Sequence, residues 1–163
     1  MGSRPRQTVV VLVFGFALVS MGCAAPSPAQ PPVPTMDMAR AVVVEVAMFE
    51  MGYEPAVLRV PSERPVIFRV HNTGVVEHEF YVGPEQAQQH HAEEMASGEQ
   101  PHHDNEVIIV APGERGELVM QFWTHGELLV GCHVPGHYEA GMRAVMTIVA
   151  AEEWDEPGPQ DDG

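Results

Sequence analysis

Cys132-His133-Val134-Pro135-Gly136-His137-Tyr138-Glu139-Ala140-Gly141-Met142 is the stretch on which the reading of this chain turns. A thiol, an imidazole and a thioether recur at even steps, Cys132, His137 and Met142, on a loop that contains Pro135, Gly136 and Gly141. Apolar runs at 127–131 and 143–149 flank it, so the loop joins two β-strands. Soft sulfur, borderline nitrogen and a second, weaker sulfur form a donor set that selects copper among the common metals. Pro135 and Gly136 allow the sharp turn that returns His137 and Met142 to one ion, and Gly141 would let the backbone pass close beside it.

A single ion needs a further imidazole, best supplied from a different strand so that the site is fixed across the sandwich. His78 opens an apolar run at 77–82 and follows the turn at 72–76. His71, on the far side of that turn, is its competitor; strand alternation and the position of His78 at the loop end favour His78.

Outward from these residues the chain is β-rich. Short runs of branched and aromatic residues stand at 41–48, 56–60, 65–71, 77–82, 106–110, 116–123, 127–132 and 143–149. Turn residues such as Asn72-Thr73-Gly74 and Ala111-Pro112-Gly113 separate several of them. This spacing predicts an all-β fold, an eight-stranded antiparallel β-sandwich with Greek-key connections. One connection, 83–105, is too long for such a sandwich and holds Gln, Ala, Glu and Met behind Pro84, which predicts a short helical insertion at 85–96.

The ends read differently. Arg4 and Arg6 precede an apolar run at 9–19, the pattern of an export signal at 1–22. A Pro-rich tether follows at 23–38, the domain occupies 39–151, and 152–163 reads as an acidic disordered tail. Ser20-Met21-Gly22-Cys23 resembles a bacterial lipoprotein box, making Cys23 the candidate for lipidation; cleavage after Ala25 is the competing reading. The expected location is periplasmic or otherwise extracytoplasmic, with membrane contact only through that lipid. Either cut leaves Cys132 as the sole cysteine of the domain, a liability in an oxidising compartment unless a metal holds it.

The formal net charge is −15 and all 8 basic residues are Arg. Such a field argues against nucleic acid as a partner and suits solubility or basic partners.

At this point the chain resembles the cupredoxin family, which includes plastocyanin, azurin and rusticyanin. The resemblance covers roughly 41–149 and is carried by Cys132, Pro135, Gly136, His137, Gly141 and Met142, and by His78-Glu79-Phe80. It implies His78, Cys132, His137 and Met142 as ligands of one type 1 copper, and one-electron transfer between redox partner proteins, with His137 as the exit for the electron. Where the family often has a hydrogen-bonding Asn or Ser after the first histidine, this chain has Glu79.

Two further features bear on function. His133 follows Cys132 directly, but Gly131 precedes it and no His-x-His segment occurs, so the chain lacks the set that multicopper oxidases use and is expected not to be an enzyme. His133 is expected to be a structural or surface residue. His90, His91, Met95, His102 and His103 crowd the insertion as a candidate accessory copper site, and they support an alternative role in copper sequestration or tolerance. Met36, Met38, Met48 and Met51 are expected to be buried rather than ligating.

Overall fold

The computed structural model describes residues 36–98 and 105–155. Cys23, His102 and His103 therefore lie outside the described residues, as do the signal, most of the tether and most of the tail.

Branched residues dominate the strands, and alternation assigns their faces. In β9 (Arg143–Val149), Ala144, Met146 and Ile148 turn inward while their neighbours are less covered. The same period buries Val66, Phe68, Val70 and Asn72 in β4 (Pro65–Asn72). The remaining strands are β1 (Val42–Phe49), β2 (Gly52–Glu54), β3 (Val57–Pro61), β5 (His78–Gly83), β6 (Val107–Val110), β7 (Arg115–Gln121) and β8 (Gly126–Gly131).

One sheet has the order β2-β1-β4-β7 and the other β3-β9-β8-β5-β6. Phe68, Val46 and Leu118 from the first meet Phe80, Val82, Val130 and Met146 from the second in a common core. The strands number nine among the described residues rather than eight, because β2 folds back on β1 as a short hairpin, with Met48 opposite Tyr53. Nor is the sandwich wholly antiparallel. β1 pairs parallel with β4, and β3 with β9, because the chain crosses between sheets before returning to each.

β5 differs from the other strands in being buried at every position. Phe80 and Val82 face the core, whereas Glu79 and Tyr81 lie on the opposite face under the helix α1 (Glu85–Ser97). That helix packs on β5 and β8 and ends at Gly98, whose φ of 75° is the left-handed stop. Its fully covered residues are Gln88 and His91, so it docks through polar side chains rather than an apolar stripe.

Of the four methionines expected in the interior, Met48 is fully buried. Met36, Met38 and Met51 are exposed, the first two ahead of β1 and the third in the β1–β2 turn. Beyond residue 151 a further turn, Ala151–Glu153, is followed by Trp154, with Arg59 over its ring at 5.6 Å; Arg59 Nη2 donates to the Glu153 carbonyl.

Candidate metal centre

His78 is the first residue of β5, Cys132 follows β8, and Met142 immediately precedes β9. These three strands are neighbours in the five-stranded sheet, so the centre sits at one end of a single sheet and does not bridge the two. His71 lies on β4 in the other sheet, paired with Ala47 and Arg115, and takes no part.

The loop closes on itself through its backbone. Cys132 N–H donates to the Met142 carbonyl at 3.2 Å, and Met142 N–H donates to the His137 carbonyl at 3.0 Å. Gly136 and Gly141 have φ of 86° and 100°, values that side chains with a Cβ resist. A Cβ on Gly141 would meet nothing within 4 Å, so glycine is needed there for its φ and not for a close approach.

His78, Cys132 and His137 are all buried, and one ligand atom from each lies within 4.8 Å of the others. Cys132 Sγ stands 3.4 Å from His137 Nδ1, and the rings of His78 and His137 are 5.1 Å apart. Met142 is fully buried and packs in the same cluster as Cys132. His78 Nδ1 is buried with no hydrogen-bond partner among the described residues. An unpartnered buried imidazole beside a buried thiol is costly unless both face an ion.

Burial dominates the electrostatics of the cluster. Burial pushes the Cys132 thiol up to about 11, against smaller opposing effects of the Glu79 and Val134 N–H groups aimed at the sulfur. Burial, and then His137, holds the His78 imidazole below its ordinary value. A neutral imidazole is the form that coordinates, while the thiol must release its proton to do so.

Residues that the sequence reading passed over surround this cluster. Asn72 is fully buried; its Nδ2 donates to the carbonyls of Val76 and Val110, each at 2.8 Å, and its Oδ1 accepts from Gly74. It thereby shapes the loop that delivers His78. Glu50 accepts from the Val75 and Val76 N–H groups and stands 3.6 Å from His78 Nε2. The Val75 N–H, ahead of other contacts, holds its carboxyl below the ordinary value.

Glu79 is the residue directly after His78. Its N–H donates to Cys132 Sγ at 3.3 Å, and its buried Oε2 accepts from the His133 N–H at 2.9 Å. The pinning of the cysteine loop is thus made by a carboxylate. The sequence signal was available, since a charged residue beside a candidate ligand in a buried strand requires partners.

Among the described residues, the accessory candidates His90, His91 and Met95 form no metal-holding group. His90 is exposed and near Glu94 at 3.4 Å, whereas His91 turns inward, fully buried, with Nε2 at 2.9 Å from Glu79 Oε1. Met95 is partly covered on the same helix. His133 is buried, its Nε2 donating to Gln88 Oε1 at 2.7 Å and its ring stacked on Tyr138 at 4.6 Å. It is a structural residue.

No family model matches the chain. It is 39% identical over 107 residues to the copper-resistant cuproprotein CopI of Rubrivivax gelatinosus, a match covering 64% of this chain and 65% of that one. It is 38% identical over 78 residues to the protein of the same name from Vibrio cholerae, covering 47% of this chain and 46% of that one. The chain therefore spans less than two thirds of the length of either relative. Among solved structures, the reduced auracyanin of Roseiflexus castenholzii superposes with a TM-score of 0.59 at 22% identity, covering 66% of this chain and 96% of that one. An azurin from Methylomonas sp. strain J gives 0.56 at 18% identity, covering 66% and 97%. With two β-sheets face to face and a buried His-Cys-His cluster at the end of one of them, the chain has the cupredoxin fold.

Proposed function

We propose that the chain binds one copper ion through His78, Cys132 and His137, with Met142 as a weaker fourth donor, and passes single electrons between redox partner proteins. The observation that carries this reading is the buried cluster itself, two imidazoles and a thiol with ligand atoms within 4.8 Å of one another. The donor chemistry fits copper, because thiolate, imidazole and thioether together suit both of its oxidation states. Copper bound there would supply a Cu(I)/Cu(II) couple and one electron per cycle.

The chain's own residues do the rest. Burial keeps water from the thiol and both imidazoles, and the short loop holds His137 and Met142 to Cys132 by backbone hydrogen bonds. A donor set held this way changes little with charge, which keeps reorganisation small. His137 retains 8% exposure where His78, Cys132 and Met142 have none, so the electron would enter and leave on its side. The reading includes no catalytic step. Gly131 precedes Cys132, and His133 is engaged by Gln88, so neither neighbour of the cysteine reaches toward a second metal.

A second reading, copper sequestration or tolerance, is favoured by the names of the relatives, which are copper-resistant cuproproteins. It would draw on His90, Met95, His102 and His103, since His91 is held by Glu79. Both readings go with an extracytoplasmic domain behind a signal at 1–22, with Cys23 as the candidate lipid anchor and cleavage after Ala25 as the alternative. Among the described residues no helix is long and apolar enough to cross a membrane. The mass of the mature N-terminus tests the lipid.

Copper titration of the full chain, followed by absorption and electron paramagnetic resonance, separates the two roles. One equivalent with an intense sulfur-to-copper band, and loss of both band and tight binding in Cys132→Ala, is the result expected for electron transfer. Tight copper retained by Cys132→Ala would shift the reading to tolerance.

A further inference from the structure

Glu79 is fully buried, and its backbone and side chain are held on every side. Its N–H points at Cys132 Sγ, its carbonyl accepts from Tyr53 OH at 2.6 Å, Oε2 accepts from His133 N–H, and Oε1 accepts from His91 Nε2. Three of these partners come from β2 and from the segment that follows β8. The fourth, His91, comes from the inserted helix.

The same helix grips the cysteine strand a second time. Gln88 Nε2 donates to the carbonyls of Leu129, Gly83 and Tyr81 at 3.0, 3.3 and 3.4 Å, which turns its Oε1 toward His133 Nε2 at 2.7 Å. With three acceptors around the amide nitrogen, the orientation of Gln88 is settled, and His133 must carry its proton on Nε2. The rings close the arrangement. Tyr81 stacks on His91 at 4.1 Å, His91 meets His133 edge-on at 5.0 Å, and His133 stacks on Tyr138. A Cβ on Gly131, the residue before the cysteine, would stand 2.4 Å from Gln88 Oε1 and 2.8 Å from Tyr138, so the chain leaves space there for this contact.

We infer that α1 is a positioning element of the metal centre: through His91 on Glu79 and Gln88 on His133, it fixes the backbone on both sides of the Cys132 sulfur. This rests on the copper reading and extends it to residues that touch no ligand of the ion except through Glu79 and His133. The helix acts by orienting the donor to the sulfur. A carboxylate with one partner gone would rotate and loosen its hold on His133 N–H, and outer hydrogen bonds of this kind tune a metal's ligand strength.

The test compares variants of the full chain. His91→Phe keeps a ring against Tyr81 and removes the donor to Glu79, together with the 3.8 Å approach of Nδ1 to Glu94 Oε2. His91→Gln restores an N–H donor. Gln86→Ala, on the exposed side of the same helix, is the control. In the copper-loaded protein, His91→Phe should shift the sulfur-to-copper band and the reduction potential. In the metal-free protein it should speed amide exchange at His133 at least tenfold. His91→Gln should return both toward wild type, and Gln86→Ala should move neither.

If His91→Phe lowers only the melting temperature, with band, potential and His133 exchange unchanged, the helix is mere cover and the inference fails. Should His91→Phe not fold, Gln88→Met reads the same grip from the His133 side, with the same two outcomes. Failure of the wild type to bind copper would remove the proposed function, while exchange at His133 in the metal-free protein would still decide the role of the helix.

Discussion

Individual side chains set the chemistry of the centre, and two of them make it sensitive to acid. Burial, ahead of other effects, holds the imidazoles of His78 and His133 below the ordinary value of 6.5. Between that value and their lowered ones, the unfolded chain binds protons that the folded chain refuses. Their contribution to stability is full above about pH 6.5 and is lost as the pH falls through that window. The melting temperature of the metal-free protein should therefore drop between about pH 7 and pH 5; a flat or rising profile would contradict it. Glu50, whose carboxyl lies below 4.5, adds its own loss only at lower pH. Cys132 and His137 were legible as a pair from spacing alone, but the burial that governs these protonation states is not a property of any one residue.

At the scale of elements, the centre depends on how the segment between β4 and β5 is held. Asn72 ties the end of β4 to Val110 at the end of β6 and to Val76 just before His78. Replacing it with Ala leaves two carbonyls without their donor, a loss of about 1–3 kcal/mol. Asn72→Ala should lower the midpoint of denaturant unfolding and weaken copper binding. Loss of stability with unchanged copper affinity would show that the loop keeps His78 in place without this clasp. The sequence marked Asn72 only as a turn residue, because one of its two acceptors, Val110, comes from a segment far along the chain. Helix α1 shows the same limit. Its existence was evident from Pro84 and the residues behind it, but its docking face is Gln88 and His91, which hydropathy assigns to solvent.

The whole molecule provides a preformed pocket, and binding to a preformed pocket stabilises the fold. With free copper at a hundred times the dissociation constant, loading adds about 2.7 kcal/mol. For a domain of this size that corresponds to a rise in melting temperature on the order of 10 °C. Calorimetry with and without the metal checks it, and Cys132→Ala should show little of the rise. The thermal shift is read on the intact chain, so it reports the site together with the two sheets that support it.

Residue types and spacing were enough to determine the candidate ligand loop, the β-rich class, the helix at the long connection and the candidacy of His78 over His71. These are local properties, written in alternation, turn residues and metal-donor chemistry. Only the tertiary structure decided that β1 pairs in parallel with β4 and β3 with β9, that His78, Cys132 and His137 gather at the end of one sheet, and that His91 serves Glu79. The reason is physical. A buried carboxylate, amide or imidazole is tolerated only where partners converge on it, and here those partners come from strands and a helix distant in sequence.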